Sequence, residues 1–149
     1  MVQGSHREFD KSQVIGYFLS MKCPTEAQEQ TVFVQWCQLN HIIVHHSPNE
    51  GGGGRAAAIR GAKMKKLGTS KGFWDLEVFI PIKGITGAVD CYQQVMIEMK
   101  AKKGGTVSPE QKQWKKLYEM AGIPCKVCKG ADEAIAFVNE YLKPEDFGV

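Results

Sequence analysis

Two apolar segments, Tyr92–Ala101 and Pro124–Cys128, bracket a helix whose start is written out in the sequence. This strand–helix–strand unit constrains the fold more than any other feature. Ser108-Pro109-Glu110-Gln111 places Ser at the N-cap, Pro at the first helical position and Gln at the third, where its side chain can close a capping box. Gly122 suits the position just past the helix end. Strands joined through a helix lie parallel, and the crossover is right-handed.

The remaining segments attach to this unit. Thr25-Glu26-Ala27-Gln28, after Pro24, is a second capping box and opens a helix to about Leu39, with Val32, Phe33, Trp36 and Leu39 as its expected buried stripe. Ile42-Ile43-Val44 reads as a short strand, broken by Ser47-Pro48-Asn49. Gly51 to Gly54 is a loop or a site of close backbone approach. It lacks the downstream Gly-Lys-Ser/Thr of a P-loop, which excludes a nucleotide cradle of that kind. Ala56 to Leu67 forms a short helix with a basic face, and Asp75 to Ile82 a strand ended by Pro81 and Gly84. Asp132 is expected to cap a last helix carrying Ile135, Phe137, Val138 and Leu142. The earlier strands add an antiparallel portion to the parallel unit. The fold class is therefore α/β, a mixed central β-sheet flanked by helices. Residues 1–24 read as an N-terminal extension with a helix over 10–21, its first residues having the look of cloning scars, and residues 25–149 as the single folded domain.

With 149 residues, 43% of them hydrophobic, the chain can bury a substantial core. No apolar run approaches the roughly 18 residues of a membrane span, and no apolar leader is visible at the N-terminus. The odd number of cysteines, 5, fits free thiols in a reducing compartment better than a disulfide framework. Net charge is only +3, but its distribution is uneven. Arg55, Arg60, Lys63, Lys65, Lys66 and Lys71 follow one another with no acid between them, and Lys100, Lys102, Lys103, Lys112, Lys115 and Lys116 are opposed by Glu110 alone. Such fields suit a polyanionic partner, and Arg55, Lys63, Lys66, Lys71 and Lys102 are the candidate DNA contacts.

Between the basic segments lie Lys71-Gly72-Phe73-Trp74-Asp75 and Glu98-Met99-Lys100, each at the end of an expected strand. Side chains alternate along a strand, so Glu98 and Lys100 share a face and Met99 points to the other. If the two strands pair antiparallel, Asp75 faces Glu98. A hard divalent cation can bind both carboxylates, with carbonyl and water oxygens completing its shell and Lys100 beside the water or phosphate. That is the donor set of a metal-dependent phosphodiesterase.

Several pieces, taken in order, resemble the VRR-NUC family of PD-(D/E)xK nucleases over roughly Thr25 to Leu142. Glu26 stands near the start of the first helix, and Pro48-Asn49-Glu50 with the following glycines and Arg55 is similar to the family's loop after the first strand. Lys66-Leu67-Gly68 with Gly72 and Asp75 is similar to its K-x-x-G…G-x-P-D segment, Glu98-Met99-Lys100 to its E-L-K, and Ser108 to Gln111 with Trp114 and Leu117 to its S-x-x-Q helix. One departure stands out: the family usually has Pro directly before the Asp, and this chain has Trp74.

The resemblance implies a restriction-endonuclease-like core and a Mg²⁺- or Mn²⁺-dependent DNA nuclease. Asp75, Glu98 and the Met99 carbonyl would bind metal; Lys100 would orient or activate the attacking water; Glu26 and Gln111 would support the same site. Short stand-alone members are phage-type proteins, which implies a homodimer acting on branched DNA such as four-way (Holliday) junctions in a bacterial cytoplasm. A non-catalytic DNA-binding module, or a flap- or restriction-type endonuclease, is the alternative. Cys125 and Cys128 lack further ligands at zinc spacing and read as buried or edge-strand thiols. His45 and His46 face opposite sides of a strand and cannot chelate jointly.

Overall fold

The computed structural model describes residues 23–47 and 54–142. The expected helix over 10–21 and the loop residues Pro48, Asn49 and Glu50 lie outside the described residues. The elements follow in the order α1 (Glu26–Leu39), β1 (Ile43–His46), α2 (Arg55–Lys66), β2 (Leu76–Lys83), β3 (Val89–Lys100), α3 (Pro109–Met120), β4 (Cys125–Lys129) and α4 (Ala131–Asn139). The four strands form one sheet in the order β1-β2-β3-β4. β1–β2 and β2–β3 are antiparallel, and β3–β4 is parallel across the α3 crossover. The sheet is thus mixed and flanked by helices.

Strand alternation divides the interior in two. Val95, Ile97 and Met99 of β3, with Leu76, Val78 and Ile80 of β2, pack against Phe33 and Cys37 of α1 and Ala131, Ala134, Phe137 and Val138 of α4. Met96, on the opposite face, joins Trp74 and Tyr118 under α3, with Phe73, Trp114, Ile123, Cys125 and Val127 around them. Glu98 and Lys100 continue the Met96 row at the C-terminal end of β3. Cys125 and Cys128 belong to opposite faces of the sheet, and burial pushes the Cys128 thiol up to about 12, so the two do not form a shared site.

Several local expectations need correction. The buried stripe of α1 is Glu29, Phe33 and Cys37, whereas Val32 and Leu39 are exposed. The helix is rotated toward α4 because the Glu29 carboxylate accepts the Ala131 N–H at 2.8 Å. That contact satisfies a donor at the start of α4 that a capping side chain would otherwise serve. Accordingly Gly130, not Asp132, is the N-cap of α4, at φ 89. A Cβ at Gly130 would meet Lys102 Cε at 2.5 Å. Pro81 lies within β2 rather than ending it and pairs with Tyr92. Its missing N–H is tolerated because β1 covers β2 only as far as Phe79, leaving an open edge beyond.

Candidate active site

Both capping boxes are present, and the second positions the site. The Gln111 amide oxygen accepts the Ser108 backbone N–H at 2.9 Å, which fixes the side chain against the start of α3. Its amide nitrogen then donates to Glu98 Oε1. One glutamine therefore closes the cap and reaches the site. Lys100 Nζ donates to the same Glu98 oxygen at 2.7 Å, the E-x-K spacing placing both side chains on one face. Glu98 Oε2 accepts the Asp75 backbone N–H at 3.3 Å. Leu76 pairs with Ile97, so the next step of the antiparallel register sets Asp75 opposite Glu98. The side chain of Met99 lies in the other core layer.

Glu98 is fully buried and Lys100 only 8% exposed. Burial pushes the Glu98 carboxyl up to about 7; the Asp75 charge adds to the rise, and Lys100 opposes it. Burial acts to lower the Lys100 ammonium, but its hydrogen bond to Glu98 and the charges of Glu98, Glu26 and Asp75 outweigh it, and the net shift is upward. The two shifts pull apart: the lysine is firmly charged while the glutamate is under-compensated. Burial is the largest cause at Glu98, and the neighbouring Asp75 charge adds to it. A cation between Asp75 and Glu98 would offset both the burial and the like charge at Glu98. Among the described residues no group of three or more His, Cys, Asp and Glu side chains is placed to hold a metal. Two carboxylates fit a hard ion that takes its other ligands from carbonyls, water and phosphate, as Mg²⁺ commonly does.

A clamp that sequence reading did not find holds the two halves of the site together. Gly72, at φ +75, presses its backbone onto the first turn of α3, where a Cβ would stand 2.5 Å from Glu110 Cβ and 3.0 Å from the Gln111 nitrogen. Fully buried Trp74 donates its indole N–H to the Gln111 carbonyl at 3.0 Å, and Trp114 donates back to the Lys71 carbonyl at 3.1 Å. The Trp74 and Tyr118 rings meet edge to face at 5.4 Å. The segment that carries Asp75 is thereby fixed to the helix that carries Gln111.

The basic candidates divide. Arg55, Lys63 and Lys66 are exposed on α2. Lys71 is ion-paired to Glu110 at 2.6 Å, and Lys102 lies 3.0 Å from Asp132 and 3.4 Å from Glu29. Lys102 thus serves the α1–α4 junction and is less available to a ligand.

This fold is similar to that of a solved VRR_NUC domain protein, with a TM-score of 0.60 and 26% identity over 82% of this chain and 91% of the other. The chain has the VRR-NUC nuclease fold. No family model and no curated protein matches it.

Proposed function

We propose that this protein is a divalent-metal-dependent deoxyribonuclease. The observation that carries the reading is the buried Glu98 carboxyl at the end of β3, gripped by Lys100 and Gln111 with Asp75 opposite it in the register. Asp75, Glu98 and the Met99 carbonyl would hold Mg²⁺ or Mn²⁺, which when bound supplies Lewis-acid polarisation of the phosphate and acidifies bound water. Lys100 supplies positive charge where the phosphate gains negative charge during attack, and its hydrogen bond to Glu98 keeps it aimed. Gln111 holds Glu98 in place from the start of α3. Glu26 adds to the field that keeps Lys100 protonated. The exposed basic residues of α2 give the polyanion a landing surface. By resemblance to short stand-alone phage-type members, branched DNA such as a four-way junction is the proposed substrate and a homodimer the proposed working form.

The test is cleavage of labelled four-way junction, flap and linear duplex DNA with Mn²⁺ or EDTA, using wild-type protein, Asp75→Asn and Lys100→Ala. Metal-dependent cutting that is lost in both variants, with unchanged circular dichroism, is the expected result. Equal cutting by all three proteins would refute the assignment.

A further inference from the structure

Lys100 is held at both ends. Its backbone pairs with Lys129 in the parallel β3–β4 ladder, and its carbonyl accepts the Gly130 N–H at 3.0 Å. Its ammonium donates to Glu98 Oε1 at 2.7 Å. Between these points lies a flexible alkyl stem, whose free rotation would swing the charge away from Glu98. Yet the residue is only 8% exposed, which is rare for lysine. Part of the chain packs along the stem.

That part is the segment 101–107. It runs from the end of β3 to Ser108, the N-cap of α3. Both of its ends are anchored, one by the β4 ladder and the other by the contacts of Gly72 and Trp74 with the first turn of α3. Within it Gly105 lies against Lys100. A Cβ at this glycine would stand 2.8 Å from Lys100 Cβ, 3.2 Å from its Cδ and 3.3 Å from the Ala101 nitrogen. Carbon atoms in good contact keep about 3.5–4.0 Å apart. Gly105 is not among the glycines at positive φ, so the lysine stem, not the backbone conformation, requires glycine there. Gly104 is its converse: it sits at φ +83, and a Cβ on it would meet nothing within 4 Å. A larger residue at 105 must lift the segment off the stem or turn the stem aside. The Lys100 backbone is fixed, so either response frees the ammonium.

We propose that Gly105 is a positioning residue for Lys100: its bare backbone packs on the lysine stem and holds the ammonium on Glu98. The expected effect on cleavage rests on the nuclease reading; the effect on Lys100 itself does not.

The test compares wild type, Gly105→Ala and Gly104→Ala in two measurements. The first is amine acylation in EDTA, with each lysine followed by peptide mass spectrometry. Wild-type Lys100 should react severalfold more slowly than exposed Lys103, and Gly105→Ala should remove that protection while Gly104→Ala keeps it. The second is Mn²⁺-dependent cleavage of a labelled four-way junction. Gly105→Ala should lower kcat by about ten- to a hundredfold with KM unchanged, because a misplaced charge is missed in the transition state. Gly104→Ala should lower the melting temperature, since its Cβ is strained at positive φ, and leave kcat unchanged. Lys100 as protected in Gly105→Ala as in wild type, an unchanged kcat, or an equal loss in Gly104→Ala would each overturn the proposal. Should Gly105→Ala fail to fold, equal acylation of Lys100 and Lys103 in wild type would overturn it. The two readings fail separately: Lys100 freed by Gly105→Ala without cleavage by any of the proteins defeats the nuclease and keeps the positioning role, and metal-dependent cleavage with the same kcat in Gly105→Ala does the reverse.

Discussion

Stability between mildly acidic and neutral pH should report the burial of the Glu98 carboxyl. The unfolded chain ionises this group near 4.5, whereas the folded one retains the proton to about 7 because of burial and the nearby Asp75 charge. Between those values the folded state binds more protons than the unfolded state, so stability falls as pH rises. A displacement of that size corresponds to about 3 kcal/mol. For a domain of this length that is about 6–12 °C in melting temperature. The raised Lys100 pKa acts only above about pH 10.5 and leaves this window untouched. The assay is thermal unfolding in EDTA from pH 4.5 to 7.5, comparing wild type with Glu98→Gln. The difference between the two curves isolates Glu98 from every other titrating group. Adding Mn²⁺ at pH 7.5 should restore most of the loss, since a ligand of the native state alone stabilises it by mass action. Parallel wild-type and Glu98→Gln curves would refute the claim that burial holds the Glu98 proton toward neutral pH.

Two further outcomes follow from the packing. Trp74→Phe keeps a buried ring but leaves the Gln111 carbonyl without its donor; it should destabilise by about 1–3 kcal/mol in urea unfolding and slow cleavage, whereas Trp114→Phe, at a more exposed bond, should do less. Glu29→Ala strips the Ala131 N–H of its acceptor and Lys102 of a partner, and should cost about 1–2 kcal/mol with the cleavage rate of the folded protein unchanged.

The features legible in the sequence were those that chemistry writes locally. Ser108 and Thr25 with glutamine three residues on announced both capping boxes, and the period-two alternation of β3 put Glu98 and Lys100 on one face. Gln111 was visible both as a cap and as a site residue, and it is both at once. What escaped depends on contacts distant in the chain. Glu29 is buried in α1 because its partner is Ala131, a residue 102 positions away. Trp74 stands out in the sequence as a departure from a motif; the carbonyl 37 positions away that its indole N–H locks onto is not legible there. Pro81 carried a breaker signal, but whether a proline ends a strand depends on whether a neighbour needs its N–H, and β1 stops short of it. Lys102 resembled other lysines of a basic run until folding placed it between Asp132 and Glu29.

The central claim is that the Asp75–Glu98 pair is a divalent-cation site. Isothermal titration of Mn²⁺ into the wild-type protein and Asp75→Asn at pH 7.5 tests it most directly. A saturable heat in the wild type that Asp75→Asn abolishes is the predicted result, with proton release as Glu98 ionises. A wild-type trace indistinguishable from dilution, or the same binding in both proteins, would contradict the account.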